Sequence, residues 1–158
     1  MRLFFVAGSM IAAFAALPGA AAAHEPAGAR AFITHIYAGY PRHGPRSQRE
    51  LDAMFEPGLS ALIRKSGSNP DEVGPLDGDP ICQCQDDTGL RYRIVSIGGA
   101  GKHARAVVRN SFVAPARPTS FLVTYRLVLI GGRWRIFDIA SPDQPSMRDW
   151  LQRELSAP

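Results

Sequence analysis

The chain has 158 residues, of which 46% are apolar and 20% charged, and its 18 Lys and Arg against 14 Asp and Glu give a net charge of +4. That length suits a single domain of about 100–200 residues, large enough to bury roughly 68–70% of its unfolded surface without metal or disulfide staples. The 15 Gly and 13 Pro imply many turns but follow no repeat period, which excludes collagen-like and solenoid architectures.

Met1 and Arg2 form a minimal basic start, and the apolar run from Leu3 to Leu17 is broken only by Gly8 and Ser9. Ala20 to Ala23 then supply small residues at cleavage spacing, so residues 1–23 are expected to be a signal peptide removed after Ala23, with 24–158 as one domain. The run is shorter than the ~20 residues of a membrane span. No Cys stands directly after the small residues, where a lipoprotein signal needs one, so a soluble periplasmic protein with neither span nor lipid anchor is expected. Every basic residue except Lys65 and Lys102 is Arg, the side chain suited to forked contact with carboxylates and phosphates. Export separates the chain from nucleic acid and no arginine-rich arm is present, so the expected partner is a small molecule or an envelope protein, not DNA or RNA.

Pro26 can open a helix, and Phe32, Ile33, Ile36, Tyr37 and Tyr40 recur at three- and four-residue spacing until Pro41, which predicts a first helix over 27–40. Ser47 with Glu50 three residues on forms a capping box ahead of Leu51, Met54 and Phe55, so a short second helix follows. After Pro57 and Gly58, the spacing of Leu59, Leu62 and Ile63 predicts a third helix ending near Ser66. The polar stretch 67–89 is too long for an ordinary connection within a compact domain and reads as mobile or functional.

Strands are predicted over 90–97, 104–113, 120–130 and 133–139. The Gly131-Gly132 pair favours a tight hairpin that sets Ile130 opposite Arg133, Leu129 opposite Trp134, Leu127 opposite Ile136 and Tyr125 opposite Asp138. Opposed residues share a face, so Phe121, Val123, Tyr125, Leu127, Leu129, Trp134, Ile136 and Asp138 are expected on one side. Arg126, Arg133 and Arg135 with Val128, Ile130 and Phe137 fall on the other. Ser146 and Asp149 can cap a closing helix through Met147, Trp150, Leu151 and Leu155. Helices, then an antiparallel meander, then a short helix make an α+β layer domain.

The string Asp77-Gly78-Asp79-Pro80-Ile81-Cys82-Gln83-Cys84-Gln85-Asp86, with Ile36-Tyr37-x-x-Tyr40 and Trp134-Arg135-Ile136-x-Asp138-Ile139, resembles a family of small exported bacterial domains, domain of unknown function 3828. That family in turn resembles the nuclear-transport-factor-two-like cone fold. The resemblance implies a curved four-strand sheet wrapped around a helix-lidded pocket, and it implies no reaction, because the fold hosts many unrelated activities.

Several positions invite chemistry. Cys82 and Cys84 are the only cysteines. On an extended segment they point the same way about 6.6 Å apart, near the upper limit for a bridge. An oxidising compartment favours a disulfide clip; buried free thiols and a redox or soft-metal site are the alternatives. Asp77, Asp79, Asp86 and Asp87 crowd the same loop with Pro80 and Gln85, but their spacing fails the calcium-loop pattern, so turn-holding carboxylates compete with a cation site. Tyr125 beside Asp138 could act as a hydrogen-bond donor and a general base. Tyr37, Tyr92, Tyr125 and Trp134 offer amphipathic pocket walls. Arg91, Arg93, Arg105, Arg109, Arg126, Arg133 and Arg135 can share the face opposite the apolar one, either solvated or as a docking surface. No nucleophile, base and orienting group can be assembled, and no cofactor or metal is expected, so a binding or interaction module leads over an acid/base enzyme and over a thiol protein.

Overall fold

The structure is a computed structural model that describes residues 24–41, 46–67, 76, 78–113 and 119–156. Helix α1 (Ala29–Tyr37) is shorter at both ends than the periodicity suggests. Gly28 precedes it at φ 78, a left-handed conformation that ends helical propagation toward the N-terminus and is accessible to glycine at little cost. The Trp134 indole N–H donates to the Ala27 carbonyl at 2.9 Å and ties this turn to the sheet. At the other end Pro41 disfavours helical backbone at Tyr40.

Helix α2 (Gln48–Met54) carries the expected capping box, with Ser47 and Glu50 satisfying each other's backbone N–H groups. Phe55 then leaves the helix, bridges Ile136 in parallel, and is fully buried. Helix α3 (Pro57–Ser66) starts with Pro57 in its first turn, and the Glu56 carboxylate accepts the Leu59 N–H. Helix α4 (Met147–Glu154) is capped by Ser146. Among the described residues no helix is long and apolar enough to cross a membrane.

Strands β1 (Leu90–Ala100), β2 (His103–Phe112), β3 (Thr119–Ile130) and β4 (Arg133–Ala140) form one curved antiparallel meander in sequence order. The fold is therefore α+β with N-terminal helices on the sheet and a short helix to close. The inner face carries Ala104, Ala106, Val108, Val123, Tyr125, Leu127, Trp134 and Ile136, all buried against α1 and the loop residue Ile81. Burying each large apolar side chain contributes about 1.5–3 kcal/mol, so this layer is the main source of stability.

The β3–β4 register follows expectation through Ile130↔Arg133, Leu129↔Trp134 and Leu127↔Ile136, and then shifts. Phe137 is an extra residue in β4, so Asp138 faces Arg126 and Tyr125 faces Ile139. The expected Tyr125–Asp138 pair is corrected by this β-bulge, which sets two residues of one strand against one of its neighbour. A second bulge in β1 lies between Ile94 and Ser96.

Candidate functional site

Residues 78–85 fold as a tight knot with its middle driven into the core. Ile81 and Cys82 are fully buried. Asp79 and Cys84 bridge each other, with the Asp79 N–H donating to the Cys84 carbonyl at 2.9 Å and the Gln83 N–H to the Asp79 carbonyl at 3.0 Å. A Cβ on Gly78 would lie 2.7 Å from the Cys84 carbonyl oxygen, so only glycine fits there without a shift of backbone. Gln83 adopts φ 55 between the two cysteines and donates its side-chain amide to the Pro80 carbonyl at 2.7 Å. This left-handed residue curls the segment, bringing the Cys82 and Cys84 Cα atoms to 5.2 Å, and the pair is disulfide-bonded. The bridge is the expected disulfide, and it leaves no buried free thiol at this pair.

The aspartates of the loop act on their own surroundings. Asp79 accepts the Ile81 N–H on one oxygen at 2.7 Å and the Arg46 Nε–H on the other at 3.0 Å. Asp86 accepts the Thr88 N–H at 2.8 Å, which holds its carboxyl below the usual carboxylate range. Asp77 lies outside the described residues. Arg46 is unusual: its side chain is only 5% exposed, and beyond Asp79 it reaches the Met54 sulfur at 3.6 Å while its Nη2 makes no hydrogen bond. Its Cζ lies 5.0 Å from the Tyr40 ring centroid. The Tyr40 hydroxyl is likewise buried without a partner, and burial raises its pKa.

The aromatic residues expected to wall a pocket fill the interior instead. Tyr37 stacks on Tyr92 at 4.4 Å and meets Tyr125 edge-on at 6.2 Å. Tyr37, Tyr125 and Trp134 are buried, and Tyr92 closes the outside of the stack. Their polar tips find internal partners. The Tyr37 hydroxyl donates to Asn110 Oδ1 at 2.8 Å, the Tyr125 hydroxyl donates to the Ile81 carbonyl at 2.7 Å, and the two hydroxyls lie 2.6 Å apart. Asn110 Nδ2 donates to the Cys82 carbonyl at 3.1 Å. Two phenolic protons thus serve three short oxygen contacts, and the network grips two carbonyls of the disulfide loop. Burial pushes the Tyr37 hydroxyl up to about 12 and the Tyr125 hydroxyl well above its ordinary value. Neither is poised for proton transfer near neutral pH.

Asp138 is 1% exposed and fully engaged. Its Oδ1 accepts the N–H groups of Ile139 at 2.9 Å and Arg148 at 3.0 Å, and its Oδ2 accepts Arg126 Nη1 at 3.0 Å. It therefore caps the start of α4 from β4 and anchors an arginine of the outer face. Arg148 completes this corner by donating to the Phe137 carbonyl, pairing with Glu56, and lying 4.2 Å over the Phe137 ring. Burial penalises the Glu56 carboxylate, yet the Gly58 amide, Arg148 and the Leu59 amide outweigh it and lower its pKa.

The outer face of the sheet is where the expected arginines meet. Cross-strand partners place Arg93 beside Arg109, Arg105 beside Arg126, Arg91 beside Ser111, Arg135 beside Val128 and Arg133 beside Ile130. Successive pairings link all seven on one side. Leu122, Ile130 and Phe137 stand among them at 40–42% exposure. A trough of about 500 Å³ crosses this face next to Gly98, Arg105, Arg126 and Phe137. A second cavity of about 320 Å³ adjoins the disulfide loop at Gln83, Cys84, Gln85, Gln144 and Trp150.

Asn110, Arg46 and Arg148 hold the site together without being marked as site residues by any motif in the sequence. Asn110 was the most accessible of these, since it falls on the inward parity of Ala104, Ala106 and Val108, where a lone amide needs partners. The carboxylates that pair with Arg46 and Arg148 lie 33 and 92 residues away and carry no local signal.

No protein-family model matches the chain, and no solved structure matches it. Over 117 residues, 69% of this chain, it is 32% identical to the uncharacterized protein YqhG of Escherichia coli strain K12. The match spans 37% of that relative, so the chain is similar to little more than a third of its length.

Proposed function

We propose that the protein is a non-catalytic interaction module of the bacterial envelope that docks an acidic protein segment on the outer face of its sheet. The observation that carries this reading is composition on a fixed register. Seven arginines share the face with three exposed large apolar side chains, and Asp138 is the one carboxylate among its described strand positions, already committed to Arg126. Arginine and aromatic enrichment with few carboxylates is the signature of a binding patch, whereas a merely solvated face mixes both charge signs. The leader-like run of residues 3–17 supports export. The frame is taken as a variant of the nuclear-transport-factor-two-like cone, on the support of α1 lying against the inner face of a curved sheet, with the interior filled by Tyr37 and Tyr125.

The test is fluorescence anisotropy of an Asp/Glu-rich peptide against residues 24–158, repeated at low and high salt. Binding that weakens with salt and drops at least tenfold in Arg109→Glu with Arg133→Glu is expected. Salt-insensitive binding, or none, contradicts the reading.

A further inference from the structure

Resting on that reading, we infer that the trough on the outer face is its anchor pocket and receives one bulky apolar side chain of the acidic segment, most favourably an aromatic one. The trough exists because two features of the sheet coincide. On β1, Gly98 stands opposite Arg105 and Ala100 opposite His103, so the edge strand offers almost no side chain there. On β4, the bulge sets Phe137 and Asp138 together against Arg126, turning Phe137 into a wall. A missing row on one side and an extra residue on the other leave the opening of about 500 Å³, within the range of sites that bury organic groups.

The walls are held in place before anything binds. Arg105 donates to Thr124 Oγ1 at 3.3 Å, Arg126 donates to Asp138 Oδ2 at 3.0 Å, and the Arg148 guanidinium lies over the Phe137 ring. Such restraint lowers the ordering cost of association. A guanidinium has five N–H donors, so both arginines keep donors to meet carboxylates that flank an inserted side chain. A small amphipathic anion accounts for the trough alone. Arg109 lies four residues along β2 from Arg105, about 13 Å at strand spacing, and Arg133 and Arg135 lie two strands away. Only an extended chain with spaced carboxylates engages these together with the trough, the pattern of a central apolar anchor in a polar rim.

Three labelled peptides separate the possibilities: Asp/Glu flanking a central Trp, the same peptide with Ser in place of Trp, and the Trp peptide with Asn/Gln in place of the acids. Each is titrated by anisotropy against the parent protein, Ala100→Trp, which fills the trough from an exposed strand end, and Phe137→Ala, which removes its wall. The acidic Trp peptide is expected to bind at least tenfold more tightly than the other two. Both variants, checked for folding by circular dichroism, should erase that preference by weakening the acidic Trp peptide at least tenfold. Equal affinity for the two acidic peptides overturns the anchor pocket and leaves the arginine face standing. Equal affinity for the two Trp peptides overturns the acidic flank. Failure of both acidic peptides to bind in a salt-dependent way overturns the docking reading itself.

Discussion

Replacing Tyr125 with Phe removes one hydroxyl and keeps the ring, so it probes the grip on the disulfide loop without opening a cavity. In the parent protein the Tyr125 hydroxyl donates to the Ile81 carbonyl at 2.7 Å, and both residues are fully buried. In the variant Tyr37 still satisfies Asn110, but the Ile81 carbonyl is left without its donor in a dry interior. An orphaned buried acceptor costs about 1–3 kcal/mol, and a central figure of ~2 kcal/mol corresponds to a fall in Tm of roughly 6–8 °C for a domain of this size. Thermal melts and urea titrations of residues 24–158 measure it, with an unchanged m-value showing that the same surface is exposed on unfolding. The Gln83 amide, whose bond to Asp79 closes the loop at 3.0 Å, should exchange faster with solvent. A variant that melts within about 2 °C of the parent, with Gln83 equally protected, would refute the idea that the core holds the loop through this hydroxyl.

Three further outcomes are expected. Asp79→Asn leaves the 95%-buried Arg46 side chain without its counter-charge and should cost about 3–5 kcal/mol, whereas pairing it with Arg46→Met should recover much of the loss; a double variant no better than the single one contradicts the buried-pair argument. Tyr37, at about 12, and Tyr125, pushed well above its ordinary value by burial, keep their protons in the folded state after the unfolded chain has lost them near pH 10. Stability should therefore be intact below pH 10 and fall from there toward pH 12, by up to ~1.4 kcal/mol per pH unit for each tyrosine; a flat stability profile across that window, followed by urea unfolding, would count against the buried network. Freshly isolated protein should show no alkylatable thiol, and replacing both cysteines by Ser should cost about 1.6 kcal/mol by loop entropy for so small a ring; two reactive thiols would remove the clip.

The elements that were legible in the sequence are those whose determinants are local. Ser47 and Glu50 announce their helix start, and Gly131-Gly132 fixes the hairpin near the turn. Strand alternation alone assembles the arginine face. The register failed at Phe137 because the bulge is settled by distant groups: Asp138 meets Arg126 and the Arg148 amide together, and α4 has no position until the chain is folded. The sequence does show the tyrosines to be apolar bodies with polar tips. What the sequence does not display is that the loop at 81–82 supplies carbonyls to those tips, which turns a pocket wall into a packed interior. Arg46 with Asp79 is illegible for the same reason, since neither residue's neighbours hint at the other.

Chemical-shift mapping with the acidic Trp peptide reports where the peptide docks as well as how tightly. With labelled arginine Nε–H groups and backbone amides, perturbations are expected at Arg93, Arg105, Arg109, Arg126, Arg133 and Arg135 and around Gly98 and Phe137, with the disulfide loop silent. Shifts gathered instead at Gln83, Gln85, Gln144 and Trp150 would move the site to the cavity beside the disulfide and contradict the assignment of the outer face.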